Sequence, residues 1–320
     1  MKKVLFATTA LIATAGVAAA EVKFGGYGRF GIGYQEDRST NDNVSDTILI
    51  SRFRLNIDAN VETDGGVEFS ARVRMQADEN ASTGEAGSAN LSGARFSVIY
   101  GGLRVDAGNV SGAFDNLANY YGNEPGLESF IGQYSGVDYD FLTFSSTGAG
   151  ANAVFFQYAV GDFAFGASYD ENTTNNGGTA LGGTDQWDIS ATYNFNNFTA
   201  ALAYGQTTGG GIEKSTLTVL TLGAEFGNFS GTIFVADDDV NVDAENGTAY
   251  GLSAAYNLGA ATTLTFAYGD GSADNDTRQY GIGAIYDLGG GASLRGGIGD
   301  TKVGDADSTI RADFGARFDF

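Results

Sequence analysis

The chain has 320 residues, with 39 acidic and 17 basic side chains, a formal net charge of −22, no Cys and no His. Without Cys and His, a disulfide framework, a thiol nucleophile, a Ser–His–Asp triad and most transition-metal sites are excluded. The acidic balance excludes a nucleic-acid partner, which requires basic surface, and the 42% hydrophobic content excludes simple disorder.

The first twenty residues predict a secretory signal peptide. Lys2 and Lys3 are followed by an apolar stretch over 4–17 and by three alanines at 18–20. This order of basic, apolar and small residues is typical of a cleaved leader. A membrane anchor is the alternative, but the apolar stretch is short and no stop-transfer pattern follows it. We therefore expect removal of 1–20 and a single folded domain over 21–320.

Most of the remaining chain alternates between apolar and polar residues. In 67–76, Val, Phe, Ala, Val and Met alternate with Glu, Ser, Arg, Arg and Gln, and 49–61 repeats the pattern. Similar alternation is present at 198–204, 252–256 and 314–320. A period of two predicts β-strands with one apolar and one polar face.

Short and long connections alternate along the chain. The short ones contain Gly, Asn or Asp and occur at 62–65, 101–102, 196–197, 227–228, 259–260 and 289–291. The long ones are polar and occur at 35–47, 77–91, 170–184, 206–216, 237–246 and 270–276. Short turns at one end and long loops at the other are typical of outer-membrane barrels.

The strand count follows from this alternation. Seventeen candidate strands are present between 24 and 320. An even number is needed if both chain ends lie on the same side of the membrane, and only the apolar stretch 137–144 disturbs the order of turns. We assign that stretch to an insertion at about 110–150, which is too long for an ordinary connection and suggests a function. The prediction is an all-β, 16-stranded antiparallel transmembrane β-barrel with an aqueous channel.

Several segments resemble the general porins of Rhodobacter-type alphaproteobacteria. They are GYGRFG at 26–31, RFRLN at 52–56, RVRMQ at 72–76, GNVSGAFD at 108–115 and GARFDF at 315–320. The resemblance implies a homotrimer in the outer membrane of a Gram-negative bacterium, in contact with lipid and lipopolysaccharide. It also implies that the 110–150 insertion folds into the lumen as a constriction, and that Phe320 is an assembly signal.

The charged residues suggest how such a channel would select solutes. Seven arginines occupy the polar faces of the first predicted strands: Arg29, Arg52, Arg54, Arg72, Arg74, Arg95 and Arg104. We call them the basic wall, because neighbouring strands lie about 4.8 Å apart. The insertion offers five facing acids: Asp115, Glu124, Glu128, Asp138 and Asp140. Together they predict a transverse field that sorts solutes by charge. The alternatives are solvated surface arginines and solvated loop carboxylates.

Two motifs are rejected as cofactor sites. The segment 26–31 reads G-x-G-x-x-G, but it lies inside a strand, whereas a dinucleotide site needs a following helix. The acidic segment starting at Asp237 has Val242 and Thr248 where an EF-hand needs Gly and Glu. No cofactor is expected to be required. Loosely held Ca²⁺ at the acidic loops is compatible with the resemblance, and ordinary solvated charge is the alternative.

The resulting hypothesis is a non-enzymatic channel for passive diffusion of small hydrophilic solutes and ions. One alternative is a substrate-specific channel on the same barrel, which an aromatic track along the lumen would favour. A second is a secreted soluble β-protein such as an adhesin. A third is an outer-membrane hydrolase, which would need an unusual base because the chain has no His.

Overall fold

The computed structural model describes residues 21–38, 45–171, 183–209 and 212–320. Its strands are β1 Glu21–Gln35, β2 Thr47–Glu62, β3 Glu68–Asp78, β4 Asn90–Leu91, β5 Arg95–Tyr100, β6 Leu103–Gly108, β7 Ala153–Val160, β8 Phe163–Glu171, β9 Thr184–Phe195, β10 Phe198–Gly209, β11 Ile212–Phe226, β12 Phe229–Asp239, β13 Gly247–Asn257, β14 Thr262–Gly271, β15 Thr277–Gly289, β16 Ala292–Val303 and β17 Thr309–Asp319. A 3₁₀ turn spans Asp243–Glu245. The predicted signal peptide lies outside the described residues and stays a prediction.

The strands form one closed antiparallel sheet. Each strand pairs with its neighbours in sequence, and β1 also pairs with β17, with Tyr27 opposite Asp319. Both β4 and β5 pair with β3, so they are two pieces of one wall strand interrupted at 92–94. The wall therefore has sixteen strands, and the predicted 16-stranded barrel is confirmed.

The two faces of the wall follow the alternation in the sequence. On β10, Leu202 is 50% exposed, whereas its neighbours Ala201 and Ala203 are almost completely buried. The same phase leaves Phe30 on β1 and Phe53 on β2 exposed on the outside. A closed wall with apolar side chains facing outward matches the hydrocarbon of a membrane. Within the described residues, no helix is long and apolar enough to span a bilayer.

Aromatic rings gather at the end of the barrel that carries the short turns. Phe195 stacks on Phe198 with centroids 5.3 Å apart, and Phe198 contacts Phe226 at the same distance. The turns beside them use the left-handed conformation, with φ of 52° at Asn196 and 57° at Gly227. This row of rings has the position of an interfacial girdle.

Phe320, the predicted assembly signal, also lies at the short-turn end. Its backbone N–H donates to the carbonyl oxygen of Gly26 at 3.0 Å, and its ring stacks on Phe53 at 5.8 Å. The last residue therefore closes the seam between β17 and β1. Its role in assembly stays a prediction.

The connections largely follow the predicted alternation, with one correction. The long connection predicted at 206–216 is wrong, because β10 continues to Gly209 and β11 begins at Ile212. The Thr- and Gly-rich composition of this stretch resembles a loop, but Thr207 pairs with Ser215 and extends the ladder above the apolar band. By contrast, 137–144 contains no strand, as predicted.

The longest connection, 109–152 between β6 and β7, lies inside the barrel and has no helix or strand. We call it the inner loop. Its side chains Phe114, Leu117 and Tyr120 form a buried cluster with Leu217 and Phe234 of the wall. The hydrophobic core of this protein is therefore the contact between the inner loop and one side of the barrel, and the predicted loop in the lumen is confirmed.

Candidate functional site

The inner loop is attached to the wall through its backbone. Because the loop has no regular structure, its buried N–H groups need other acceptors. Inward side chains of later strands supply them. Ala113 N donates to Ser168 Oγ at 2.9 Å, Asn123 N to Ser253 Oγ at 2.9 Å, Ile131 N to Gln279 Oε1 at 2.5 Å and Asp138 N to Asp238 Oδ2 at 2.7 Å.

Asp313 on β17 holds a segment of the inner loop that contacts the basic wall. Its carboxylate accepts three consecutive backbone N–H groups, from Leu127 at 2.9 Å, Glu128 at 2.8 Å and Ser129 at 2.8 Å. Hydrogen bonds to an ionised acceptor are stronger than neutral ones. This segment is therefore fixed in position across the lumen.

Glycines on the inner face of the wall make room for the inner loop. A Cβ on Gly251 would lie 1.9 Å from the carbonyl oxygen of Gln133, and one on Gly281 would lie 2.8 Å from the ring of Phe130. Such distances are far shorter than van der Waals contact, so these positions require the absence of a side chain. We call the glycines of the inner face that contact the loop the glycine seat: Gly205, Gly223, Gly251, Gly269, Gly281, Gly283, Gly297, Gly299 and Gly315.

The basic wall lies on the first strands of the barrel, and the inner loop contacts it at 127–128 and at 144–146. Its arginines alternate with outward residues such as Phe30, Phe53 and Phe96, so all seven guanidinium groups are on the inner face of β1 to β6. They are half-buried. The structure thus brings these seven residues together on one inward face, and their role in a pore constriction stays a prediction.

Carboxylates of the wall itself neutralise most of the basic wall. Arg72 Nε donates to Asp58 Oδ1 at 2.6 Å, and Arg52 pairs with Asp78. Arg104 pairs with the fully buried Asp106, which also lies 4.0 Å from Arg95 Nε.

Of the five predicted acids of the inner loop, Glu128 forms ion pairs with the basic wall. Its Oε1 lies 2.6 Å from Arg29 Nη2 and 3.7 Å from Arg52 Nη2. Burial raises the pKa of the Glu128 carboxyl, and the charges of Arg29 and Arg52 oppose that effect. Asp313 binds the backbone of Glu128, and the Glu128 carboxylate is the negative charge of the inner loop that contacts the basic wall.

Asp115 and Glu124 bind tyrosines of the inner loop. Tyr121 donates its hydroxyl to Asp115, and Tyr134 donates to Glu124 Oε1 at 2.9 Å. Glu124 is exposed toward the lumen, yet the surrounding protein displaces bulk water and raises the pKa of its carboxyl to about 7, against the effect of the Tyr134 hydrogen bond. No ion pair joins either acid to the basic wall in the described ranges.

Asp138 and Asp140 lie against strands far from the basic wall. The Asp138 backbone is bound to Asp238 on β12, and Gln186 on β9 donates to the Asp140 carbonyl oxygen at 2.8 Å. Burial and the neighbouring carboxylates raise the pKa of Asp138 to about 7. The structure thus brings Glu128, and neither of these two, into contact with the arginines.

Three further arginines lie on the inner face beside the basic wall, and the sequence pattern does not identify them as site residues. Arg295 on β16 and Arg311 and Arg317 on β17 have the same inward phase as Asp313. Arg317 lies over the ring of Tyr27 at 4.0 Å, next to the first strand. The alternation at 314–320 covers only Arg317, and the pairing of β17 with β1 is what brings these residues beside the basic wall.

The aromatic residues of the inner loop, the acidic residues and the space around the loop are further candidate binding features. The Tyr120 ring is buried against Phe234 of the wall at 5.3 Å, so this aromatic residue of the inner loop does not line the lumen. In the described part of the chain, no three or more Asp, Glu, His or Cys residues are grouped to hold a metal ion. Beneath the inner loop, a polar cavity of about 670 Å³ is lined partly by Asn119, Asn197 and Thr232.

Comparisons with known proteins agree with this architecture. A family model described as Gram-negative porin matches residues 7–306. The chain is 34% identical over 313 residues to a porin of Fuscovulum blasticum, covering 94% of this chain and 100% of the relative. It is 29% identical over 326 residues to a porin of Rhodobacter capsulatus, with the same coverage of both chains.

Solved structures show the same similarity. A triple mutant of the Rhodopseudomonas blastica porin matches with a TM-score of 0.77 and 29% identity, covering 94% of this chain and 100% of that one. A quintuple mutant of the same porin matches with a TM-score of 0.78, 29% identity and the same coverage.

Proposed function

Because the chain belongs to the Gram-negative porin family, we propose that it is a diffusion channel whose charge selectivity is set between the basic wall and Glu128. The protein is an outer-membrane porin, and porins are channels, not enzymes. Small hydrophilic solutes and ions cross a lumen with arginines on one side and the inner loop on the other.

The observation that carries the proposal is the position of Glu128. It holds its carboxylate 2.6 Å from Arg29, while other guanidiniums of the basic wall are left without a loop acid. This contact ion pair and the remaining arginines of the basic wall are fixed charges beside a narrow aqueous passage, whose low-dielectric walls focus their electric field. Solutes are therefore sorted by charge and dipole as well as by size.

Planar-bilayer recording of the detergent-purified protein tests the proposal. Stable open channels are expected, and the double substitution R72Q/R74Q should shift the reversal potential in a KCl gradient toward cations. R278Q is the matched control, because Arg278 pairs with Asp300 away from the basic wall. If no channels form, the protein is not a diffusion channel. If the reversal potential of R72Q/R74Q equals that of the wild type, the basic wall does not set the charge selectivity.

The proposal includes a homotrimer surrounded by outer-membrane lipid and lipopolysaccharide, an expectation that rests on the family resemblance. Light scattering of the detergent-solubilised protein gives the number of chains. Sequencing the N-terminus of protein extracted from outer membranes tests removal of 1–20. The channel needs no cofactor, and loosely held Ca²⁺ at the acidic loops is checked by calcium titration of the purified protein.

A further inference from the structure

Arg54 and Arg74 converge on one oxygen atom. They are diagonal neighbours on β2 and β3, because Arg54 lies opposite Gln76 and Asn56 lies opposite Arg74. Arg54 Nη2 is 3.4 Å from Ser146 Oγ, and Arg74 Nη1 is 2.9 Å from the same atom. The hydroxyl oxygen of Ser146 thus marks a point at which two guanidiniums donate to a single acceptor.

These two arginines differ from the other five of the basic wall in their charge balance. Arg29, Arg52, Arg72, Arg95 and Arg104 each have a carboxylate within 4.0 Å. Across the described ranges, Arg54 and Arg74 have none, and their polar side-chain partners are the neutral Gln76, Asn56 and Ser146. Two half-buried like charges without a counter-charge favour an anion between them.

The two guanidiniums are also held in place. Arg54 Nε donates to Gln76, and Arg74 Nε donates to Asn56 Oδ1 at 2.8 Å. The Arg74 guanidinium lies over the ring of Phe144 at 4.6 Å, and that of Arg54 over the ring of Tyr27 at 5.2 Å. With Nε bound and one face stacked, the Nη atoms remain as donors. Preorganised donors lose little freedom when a ligand binds.

We propose that Arg54, Arg74 and Ser146 form a binding site for a multivalent oxyanion of the phosphate type. One oxygen of the anion replaces the Ser146 hydroxyl oxygen as the shared acceptor. The released hydroxyl then donates to a second oxygen. Guanidinium forks match tetrahedral and planar oxyanions, whereas a spherical halide offers no second acceptor. The site rests on the proposed function, because it lies in the basic wall of that channel.

Chloride currents in the presence of inorganic phosphate test the site. At constant KCl and pH 8, rising phosphate should reduce the wild-type current along a saturating curve. The substitution R54K/R74K keeps both charges and removes both forks, so it should raise the half-blocking concentration at least tenfold. The control R295K/R311K makes the same exchange at two luminal arginines outside the site and should leave that concentration within twofold.

Two results would overturn the site: a non-saturating effect of phosphate on the wild type, or equal block of the wild type and R54K/R74K. Normal KCl conductance shows that each variant has folded and inserted. The reversal potential of R72Q/R74Q judges the charge-sorting proposal separately. The phosphate site can therefore be refuted while the charge-sorting channel is supported, and the charge-sorting proposal can be refuted while phosphate block is observed.

Discussion

Asp313 accepts the backbone N–H of Glu128 at 2.8 Å, from a position 185 residues later in the chain. The last strand of the barrel thus fixes the one loop acid that forms ion pairs with the basic wall. Asp313 determines where the loop backbone lies, and that backbone directs the Glu128 side chain toward Arg29.

The first prediction concerns this attachment. D313A removes the acceptor of three N–H groups, each hydrogen bond to a charged group being worth about 1.5–3 kcal/mol. We expect a loss of stability of about 3 kcal/mol or more, a lower Tm and larger fluctuations of the single-channel current. D319N is the control, since Asp319 is on the same strand but binds Arg317. An equal effect of both substitutions would contradict the assigned role of Asp313.

The second prediction concerns Glu128 itself. E128Q removes the negative charge that lies 2.6 Å from Arg29, so anions should pass more easily relative to cations. One unit charge at about 4 Å is worth about 1 kcal/mol in water, which corresponds to about a fivefold change in permeability ratio. Reversal potentials in a salt gradient measure it. E21Q, which removes the partner of Lys23 at the start of β1, should leave the ratio unchanged.

The third prediction concerns pH. Burial and then the charges of Asp238, Glu245, Asp276 and Asp140 raise the pKa of Asp138 to about 7. An unfolded Asp titrates near pH 4, so between about pH 4 and 7 the folded protein binds more protons than the unfolded one. This carboxyl therefore lowers stability as pH rises through that window, with no further change above it.

Melting curves between pH 4 and pH 8 measure this effect. D138N should show a smaller fall in Tm with rising pH than the wild type. D64N, in an exposed turn, is the control and should retain the wild-type slope. If D138N keeps the full wild-type slope, Asp138 is not the group responsible.

The fourth prediction concerns the glycine seat. In G251A the new methyl group would lie 1.9 Å from the Gln133 carbonyl oxygen, so the inner loop has to move away from the wall. Overpacking of this kind costs about 1–3 kcal/mol. We expect a lower Tm and an altered single-channel conductance. G25A is the control, because its added Cβ would meet the Phe320 carbonyl oxygen at an ordinary 3.5 Å. Matching behaviour of the two variants would refute the steric requirement.

Much of the wall could be predicted from the sequence, because alternation is a local property. The face occupied by Arg52, Arg54, Arg72 and Arg74 follows from the period of two and from strand adjacency. The sixteen strands follow from the rhythm of turns. The error at 206–216 has the same origin: the ladder there continues through Thr and Gly residues, which lack an apolar signal.

The partners of the arginines could not be predicted in the same way. The sequence pattern does not single out Asp58, Asp78 or Asp106, although these residues neutralise most of the basic wall. Their role depends on strand register. The path of the inner loop depends on contacts with strands more than a hundred residues away, and no local pattern distinguishes Glu128 from Asp138 in that respect.

The position of the loop attachments also has a consequence for how the channel is made. The wall acceptors for 113–139 of the inner loop lie on strands between β8 and β17, which follow the loop in the chain, and Leu127 is separated from Asp313 by 186 residues. Contacts over such distances form after local strand pairing, since closing long loops costs entropy. The lumen is therefore narrowed late in assembly, once β17 has joined β1 and brought Asp313 to the inner loop.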